Sequence, residues 1–468
     1  MIIQLLFRIL FISFLISSGW NDSAAQSAKD FSLHGRLKVS ANHHFLEYED
    51  GSPFFWLGDT GWELFHRLNK ADVEKYFATR SAQGFTVIQA VVLAEFDGLH
   101  TPNAYGELPL LNDDPLQPRE AYFQYVDWVI DKAAEYGLHI ALLPTWGDKL
   151  YKNNWGTGPE IFDSSNARNY GEWIGKRYKD RKNIIWVMGG DRIPRGAGDV
   201  AVWNDMAEGI VAGIGAYDKA LMTFHPQPSA TCSSSPWFHK SEWLDFNMLQ
   251  TGHCNDAEVW RFIGSDYSLA PAKPTLDGEA VYEDHPLCFN AREKGYTQAY
   301  DIRKAAYLSI FAGGFGFTYG CHAIWQFYSP DRQPVNGPLR FWYVSLDLPG
   351  ARQMKHLKTL MESFPLNERV PDQHILLDTL QDTHRIQATR GKDYLLIYAA
   401  GGDAFRVRMG IIRGSILKAW WYDPRTGAKI FLGKISNMGT HRFKPLSAGY
   451  DNDWILVLSD ASKNYFAN

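Results

Sequence analysis

The sequence predicts an α/β protein, a (β/α)8 TIM barrel followed by a C-terminal antiparallel β-sandwich. Three observations carry the prediction. Eight short apolar runs alternate with helix-period segments over roughly 300 residues, the signature of a parallel barrel. No Gly-rich phosphate loop follows the first run, as it usually would in an open doubly wound sheet. From Val370 onward the helices stop, and short strand-like runs separated by Gly, Asp and Asn turns take over.

In chain order, Met1 to Ser18 is apolar apart from Gln4, Arg8 and a few serines, and Ser23-Ala24-Ala25 offers a small-residue cleavage site. Residues 1–25 therefore read as an export signal, placing the protein in the periplasm, at the cell surface or outside the cell, with no membrane span in the mature chain. Gly35 to Phe55 reads as a small hairpin that turns at Glu49-Asp50-Gly51-Ser52 and covers an edge or the bottom of the barrel. The barrel, with this hairpin, is assigned to residues 26–368. Its strands are expected at Phe54–Asp59, Phe85–Val92, His139–Trp146, Asn183–Asp191, Leu221–His225, Phe246–Thr251, Pro274–Glu279 and Phe315–Ile324. Helices are expected at Lys70–Gln83, Arg119–Tyr136, Ser164–Lys179, Asp199–Ala216, Asp256–Gly264, Tyr300–Ala312 and Ala351–Ser363, with a short one within Ser235–Leu244. In the second of these, Tyr122, Val126, Val129 and Ile130 fall on one helical face. The linker lies near Pro365 to Asp372, and residues 369–468 form the sandwich, with strands at Ile375–Leu377, Arg385–Thr389, Tyr394–Tyr398, Phe405–Met409, Leu417–Tyr422 and Trp454–Leu458.

Composition narrows the function. A net charge of -5 supplies no basic stripe, so nucleic acid is not an expected partner. The 17 tryptophans exceed what a core needs, and aromatic faces stack on sugar rings, although large core residues account for most of them. Four cysteines, Cys232, Cys254, Cys288 and Cys321, match no zinc spacing; an oxidising compartment permits a disulfide, with Cys232 and Cys254 the pair expected if one forms.

In a barrel of this type chemistry is done at the C-terminal ends of the strands. Strand four delivers Asp191 after Gly189-Gly190, and strand seven delivers Glu279 after Gly278; glycines there let a ligand approach closely. Two facing carboxyls are the minimum equipment for hydrolysing a glycosidic bond. Strand length favours Glu279 over Glu283 as the second acid, with Glu283 then a neighbouring partner, and Asp277 is expected on the side of Glu279, tuning the site. The remaining rim residues are Asp59 and Trp62 after strand one, Glu95 and Asp97 after strand two, Trp146 and Asp148 after strand three, His225, His253, and His322, Trp325 and Gln326 after strand eight. Asp59 and Asp148 could equally cap the helices that come after them. Trp62, Trp146 and His225 are the expected walls of a sugar subsite, with Asp59, Glu283 and Trp325 as further substrate contacts. Strand one lacks the paired histidines of the metal-dependent hydrolases on this barrel, so His225 and His253 are expected to be hydrogen-bonding residues, with no metal and no cofactor.

These motifs carry a resemblance. Phe55-Trp56-Leu57-Gly58-Asp59-Thr60-Gly61-Trp62, Trp186-Val187-Met188-Gly189-Gly190-Asp191 and Asp277-Gly278-Glu279-Ala280-Val281-Tyr282-Glu283 resemble the family 140 glycoside hydrolases, the apiosidase-like barrels. The segment Trp420-Trp421-Tyr422-Asp423-Pro424-Arg425-Thr426-Gly427 is similar to the β-sandwich that usually accompanies that barrel and bears the label collagen-binding. The resemblance implies an exo-acting enzyme that removes β-linked apiose from the pectin rhamnogalacturonan II, a plant cell-wall substrate, with Asp191 as acid/base and Glu279 as its partner. Strand four departs from the wider retaining clan, ending Gly-Gly-Asp where Asn-Glu is usual. The rival readings are a glycosidase of another specificity, such as an arabinosidase or galactosidase, and a non-catalytic carbohydrate-binding protein. The leaving sugar, the stereochemical outcome and the oligomeric state stay open at the level of sequence.

Overall fold

The computed structural model describes residues 33–466; the export segment expected at 1–25 lies outside them. Eight parallel strands form the barrel: β1 (Trp56–Thr60), β2 (Val87–Leu93), β3 (His139–Thr145), β4 (Ile184–Gly189), β5 (Met222–His225), β6 (Asn247–Leu249), β7 (Thr275–Asp277) and β8 (Gly316–Tyr319). Their order in the sheet is β5-β4-β3-β2-β1-β8-β7-β6. Between β5 and β6 the sheet closes through single contacts instead of a ladder: Asp245 N–H donates to Met222 O at 2.9 Å and Thr223 Oγ1 to Phe246 O at 2.6 Å. Among the described residues the seven long helices are α1 (Lys70–Ala82), α2 (Glu120–Glu135), α3 (Ser164–Tyr178), α4 (Ala197–Ile214), α5 (Val259–Tyr267), α6 (Ala299–Phe311) and α7 (Pro349–Glu362).

The strands read as continuous apolar runs because both their faces are covered. Trp56, Val87, Val91, Ala141, Leu143, Ile185, Val187, Met248 and Leu276 point inward and fill the barrel, while Leu57, Ile88, Ile140, Trp186 and Phe317 face the helices. The N-terminal segment forms a three-stranded antiparallel sheet, Leu37–Val39, Leu46–Tyr48 and Pro53–Phe54. Its Phe45, Leu46 and Phe54 join the interior cluster of the barrel, so it plugs one end of it. Strand eight is shorter than its apolar run: a Cβ on Gly320 would meet the Tyr282 ring at 2.0 Å, and the chain turns there into a one-turn helix, His322–Trp325. Strands four and seven likewise stop before their acids, which sit on the adjoining loops.

The C-terminal region is antiparallel. Six strands lie in the order Val370–Pro371, Ile386–Arg390, Tyr394–Ala399, Trp454–Asp460, Ile416–Tyr422, Lys429–Ser436, and a second layer pairs Phe405–Arg408 with Thr440–Phe443. The run expected as a strand at Ile375–Leu377 begins instead as a 3-10 turn, Gln373–Ile375, whose neighbour Leu376 makes one bridge to Val407. One face of the six-stranded sheet, including Ile397, Leu417, Trp421 and Leu456, packs on the second layer. The other, with Leu396, Tyr398, Trp420 and Val457, is continuous with the helix layer of the barrel. The sandwich is thus a packing partner of the barrel; Tyr398 stacks on Tyr307 of α6 with ring centroids 5.1 Å apart.

The sulfur chemistry differs from expectation. The disulfide joins Cys254 to Cys288, 34 residues apart, and Cys232 and Cys321 are buried free thiols. Nothing in the spacing distinguishes this pair; the fold does, by bringing the loop after β6 under the loop after β7. Among the described residues no helix is long and apolar enough to cross a membrane.

Candidate active site

At the mouth of the barrel the chain leaves β4 through Gly189, Gly190 and Asp191, with φ of 86°, 112° and 52°. Three successive left-handed residues turn the backbone sharply, and at the first two a side chain has no room. A Cβ on Gly189 would lie 2.3 Å from His225 O, and one on Gly190 would lie 2.8 Å from the Trp146 ring. The glycines are required by the chain itself, more than by access for a ligand. Left-handed backbone at a non-glycine residue costs energy and persists where its surroundings fix it, and Asp191 is fixed on several sides. Its N–H donates to His225 Nδ1 at 3.2 Å, Oδ1 accepts from Gln250 Nε2 at 3.2 Å, and Oδ2 accepts from the Trp155 indole at 2.8 Å. Arg192, fully buried, donates to Asp191 O at 2.7 Å and lies 3.4 Å from Oδ2. The Asp191 side chain remains 20% exposed, open to a ligand.

Glu279, on the loop after β7, is 5% exposed. His225 Nε2 stands 3.0 Å from its Oε2 and His253 Nε2 3.4 Å from its Oε1. Because Nδ1 of His225 accepts from the Asp191 amide, the proton of the neutral ring sits on Nε2, toward Glu279. Neither His225 Nε2 nor Glu279 Oε2 has a well-directed hydrogen bond among the described residues, which leaves Oε2 available to a ligand.

The two carboxyls are driven in opposite directions. Burial and then the neighbouring Glu279 push the Asp191 carboxyl up to about 6, against the opposing pull of Arg192, His225 and the Trp155 hydrogen bond. Burial would also raise Glu279, but His225 and His253 outweigh it and hold the carboxyl well below the usual range. One group therefore keeps a proton near pH 6 and the other is ionised, the division of labour that acid-assisted glycoside cleavage requires.

The structure brings Trp62, Trp146 and His225 together beside this pair and leaves Trp325 at the rim. Trp62 packs on Trp146 at 5.3 Å and edge-on to His225 at 5.1 Å, and its indole donates to Tyr282 Oη at 3.1 Å. Trp62 and Trp146, each 3% exposed, form the floor beside His225. Trp325 is partly exposed at the rim, its ring tilted 37° to that of Phe96, and donates to His322 Nδ1 at 3.3 Å. Two other expected contacts do not belong here. Asp59 is turned out of the barrel, wholly buried against α1, where Arg80 Nε and Tyr76 Oη each lie 2.6 Å from Oδ2. Glu283 also points away: Tyr319 Oη donates to it at 2.7 Å and the Gly350 N–H at the start of α7 at 2.9 Å. It pins that helix to β8 and leaves Glu279 as the strand-seven acid in the mouth. Asp277 is buried, accepts from Thr251 Oγ1 at 2.7 Å and is pushed up to about 7 by burial. Asp148 ties down the loop that carries Trp155 through the N–H groups of Thr157 and Gly158, and pairs with buried Lys149 at 2.7 Å. Glu95, partly exposed after β2, is raised well above the usual range by burial and by the surrounding carboxyls of Asp191, Glu63 and Asp148.

Trp155, Gln250, Arg192 and Tyr282 were not singled out from the sequence. Trp155 lies in a Lys/Asn/Gly-rich loop with no periodic pattern, and Gln250 comes directly after β6, where the rule that strand ends carry function could have found it.

Comparison with known proteins bears on the family and the fold. The family described as "Apiosidase-like, catalytic domain" matches residues 40–368. This chain belongs to the apiosidase-like glycoside hydrolases. The family described as "Putative collagen-binding domain of a collagenase" matches residues 370–459. A solved structure titled "Glycoside hydrolase" is 36% identical, with a TM-score of 0.85, over 93% of this chain and 99% of its own. A glycoside hydrolase from Bacteroides vulgatus ATCC 8482, titled as family 5, is 34% identical with a TM-score of 0.85 over 92% and 94% of the two chains. A second glycoside hydrolase from the same organism shares the fold at 16% identity, with a TM-score of 0.67 over 92% and 83%. No curated protein matches the chain. This glycoside hydrolase accordingly has a carbohydrate as its substrate.

Proposed function

We propose that this glycoside hydrolase is an exo-acting apiosidase that releases apiose from rhamnogalacturonan II side chains, with Asp191 as general acid/base and Glu279 as nucleophile. The observation that carries the catalytic assignment is the opposed tuning of the two carboxyls. Asp191, raised to about 6, holds the proton that the departing oxygen needs. Glu279, held well below its usual range by two imidazoles, is a poor proton acceptor and an ionised nucleophile. A general base for water would need a pKa nearer the working pH. That contrast favours attack by Glu279 Oε2 on the anomeric carbon, cleavage of the glycosidic bond with the Asp191 proton passing to the leaving oxygen, and hydrolysis of the glycosyl-enzyme by water that Asp191 then deprotonates. Net configuration is retained. Trp62, Trp146 and His225 form the floor on which the sugar rests. The family match supports apiose as the leaving sugar, and the apolar segment Met1 to Ser18 supports export to a compartment that meets cell-wall polymers.

Rhamnogalacturonan II oligosaccharides incubated with the enzyme should yield free apiose, identified by chromatography and mass. Asp191→Asn and Glu279→Gln should each abolish release. If arabinose or galactose appeared instead, the carboxyl assignment would stand and the specificity would be that of an arabinosidase or galactosidase. Binding without liberation of reducing ends would make the protein a carbohydrate-binding module. Wild-type turnover in both variants would overturn the assignment of the acids.

A further inference from the structure

The two histidines on Glu279 are held differently. His225 is anchored at its far nitrogen by the Asp191 amide. The far nitrogen of His253, Nδ1, is buried with no hydrogen-bond partner among the described residues, so on that side the ring is held by packing. That packing comes from the segment 284–296 beyond β7, together with Tyr282 just before it. His285 stacks on His253 with centroids 4.2 Å apart, Phe289 meets it edge-on at 5.5 Å, and Tyr282 closes the third side at 4.5 Å. The segment folds back on itself, Leu287 N–H donating to Gly295 O at 3.0 Å and Pro286 bridging Tyr296. It is fastened over His253 at its tip: the Cys254–Cys288 disulfide lies next in sequence to His253, and the Cys288 N–H donates to His253 O at 2.9 Å. The same tip holds two consecutive non-glycine residues in the left-handed region, Cys288 at φ 51° and Phe289 at φ 60°. Such a conformation persists only where the surroundings over-determine it, and the disulfide is the covalent part of those surroundings.

We propose that the lobe 284–296, clamped by Cys254–Cys288, is a positioning device that presses His253 onto Glu279, so that opening the disulfide weakens catalysis by releasing this contact. The proposal rests on Glu279 being the nucleophile. In the step itself a dithiol supplies two electrons, the Sγ–Sγ bond breaks, each sulfur gains a proton, and the dithiol closes to its own cyclic disulfide. Without the clamp the tip can relax, and His253 has no hydrogen bond at Nδ1 to keep its Nε2 on Oε1. The groups facing Glu279 are His225, His253, the Tyr282 hydroxyl, and the carboxyls of Asp191 and Asp277. His225 and His253 are the largest influences that hold it ionised, beside the Tyr282 hydroxyl, and freeing one of them lets its proton affinity rise.

The test compares pH profiles of kcat/KM for the oxidised enzyme, the enzyme reduced with dithiothreitol, Cys254→Ser/Cys288→Ser, His253→Ala and His253→Gln. The substrate is the oligosaccharide the wild type hydrolyses. In the reduced enzyme, the double serine variant and His253→Ala, the acid limb should move up by about one pH unit and kcat should fall about tenfold, with KM little changed. His253→Gln restores an N–H donor and should recover most of both. Dithiothreitol should do nothing to the double serine variant. An acid limb identical in oxidised and reduced enzyme, with thiol titration showing two new thiols, overturns the clamp. An unmoved limb in His253→Ala overturns the role of His253. Should the serine variant fail to fold, reduction of the folded wild type, checked by near-ultraviolet circular dichroism, carries the test. Failure of the underlying assignment shows separately, as turnover surviving in Glu279→Gln.

Discussion

His225 links the two acids of the mouth: its Nδ1 accepts the Asp191 N–H at 3.2 Å while its Nε2 stands 3.0 Å from Glu279 Oε2. One ring thereby fixes the strained backbone of Asp191 and the charge state of Glu279. His225→Ala should lower kcat by about 10²-fold or more and shift the acid limb of kcat/KM upward, since Glu279 loses an imidazole that holds it ionised. His225→Asn should restore the contact to the Asp191 amide without the one to Glu279. A variant with unchanged kcat and an unmoved acid limb would remove His225 from the machinery.

The opposed carboxyls set the pH dependence. In the proposed mechanism Asp191 must be protonated to act as acid, so kcat/KM should fall as pH rises through about 6, while the acid limb assigned to Glu279 lies below the ordinary glutamate range. Asp191→Asn should lose the basic limb and about 10²–10⁴-fold of activity on unactivated substrates, and less on aryl glycosides with good leaving groups. The same shift bears on stability. A carboxyl raised in the folded state favours folding fully below its unfolded value near 3.8, and that contribution is lost as pH rises through the folded value of about 6. Asp191→Asn should therefore stabilise the enzyme at pH 8, by up to about 3 kcal/mol, and much less at pH 3.5. Equal melting temperatures for the two proteins at pH 8 would contradict this.

Trp155 combines 48% exposure with a 2.8 Å hydrogen bond to Asp191 Oδ2. An indole that touches the acid and also faces solvent is placed to meet the leaving group. Trp155→Phe keeps the ring and removes the donor. Because that donor favours the ionised acid, its loss should raise the basic limb of the pH profile, with kcat/KM down by roughly three- to tenfold, as expected for one hydrogen bond to a charged group. Trp155→Ala should in addition raise KM for oligosaccharides more than for small aryl glycosides. If Trp155→Phe left the basic limb in place, the hydrogen bond would have no part in tuning Asp191.

How much of the fold and the site was legible in the sequence depends on which force set each feature. The eight barrel strands and seven helices were legible because apolar period is a local signal, and Asp191 and Glu279 because they end apolar runs behind glycines. Asp59 and Glu283 show the limit. Whether a strand-end carboxyl turns into the mouth or out to the helices depends on pleat phase and on distant partners, Arg80 and Tyr76 for one, Tyr319 and Gly350 for the other. The strands Lys429–Ser436 and Thr440–Phe443 were not legible because the first is largely exposed on both faces and lacks an in–out alternation. The Cys254–Cys288 pairing depends on two loops meeting in space, which no spacing rule encodes.

The joint between barrel and sandwich rests on a buried charge pair. Arg303 of α6 and Asp453 have 1% and 0% exposed side chains and lie 2.7 Å apart; Tyr398 Oη adds a bond to Asp453 at 3.0 Å, and Arg303 also reaches Gln353 at 2.7 Å. Asp451, 55% exposed, also pairs with Arg303 at 2.5 Å. Removing Asp453 therefore leaves the buried guanidinium with a solvent-facing carboxylate as its one remaining ion-pair partner among the described residues, and the loss of a buried partner costs more than the pair itself contributes. Asp453→Ala should lower stability by about 3–5 kcal/mol, as read from urea unfolding. Because the six-stranded sheet shares an apolar face with the barrel helices, the wild-type enzyme should unfold in one transition reported alike by barrel and sandwich probes. Two separated transitions, with the barrel melting unchanged in Asp453→Ala, would mean that the sandwich is an independent module and not part of the catalytic body.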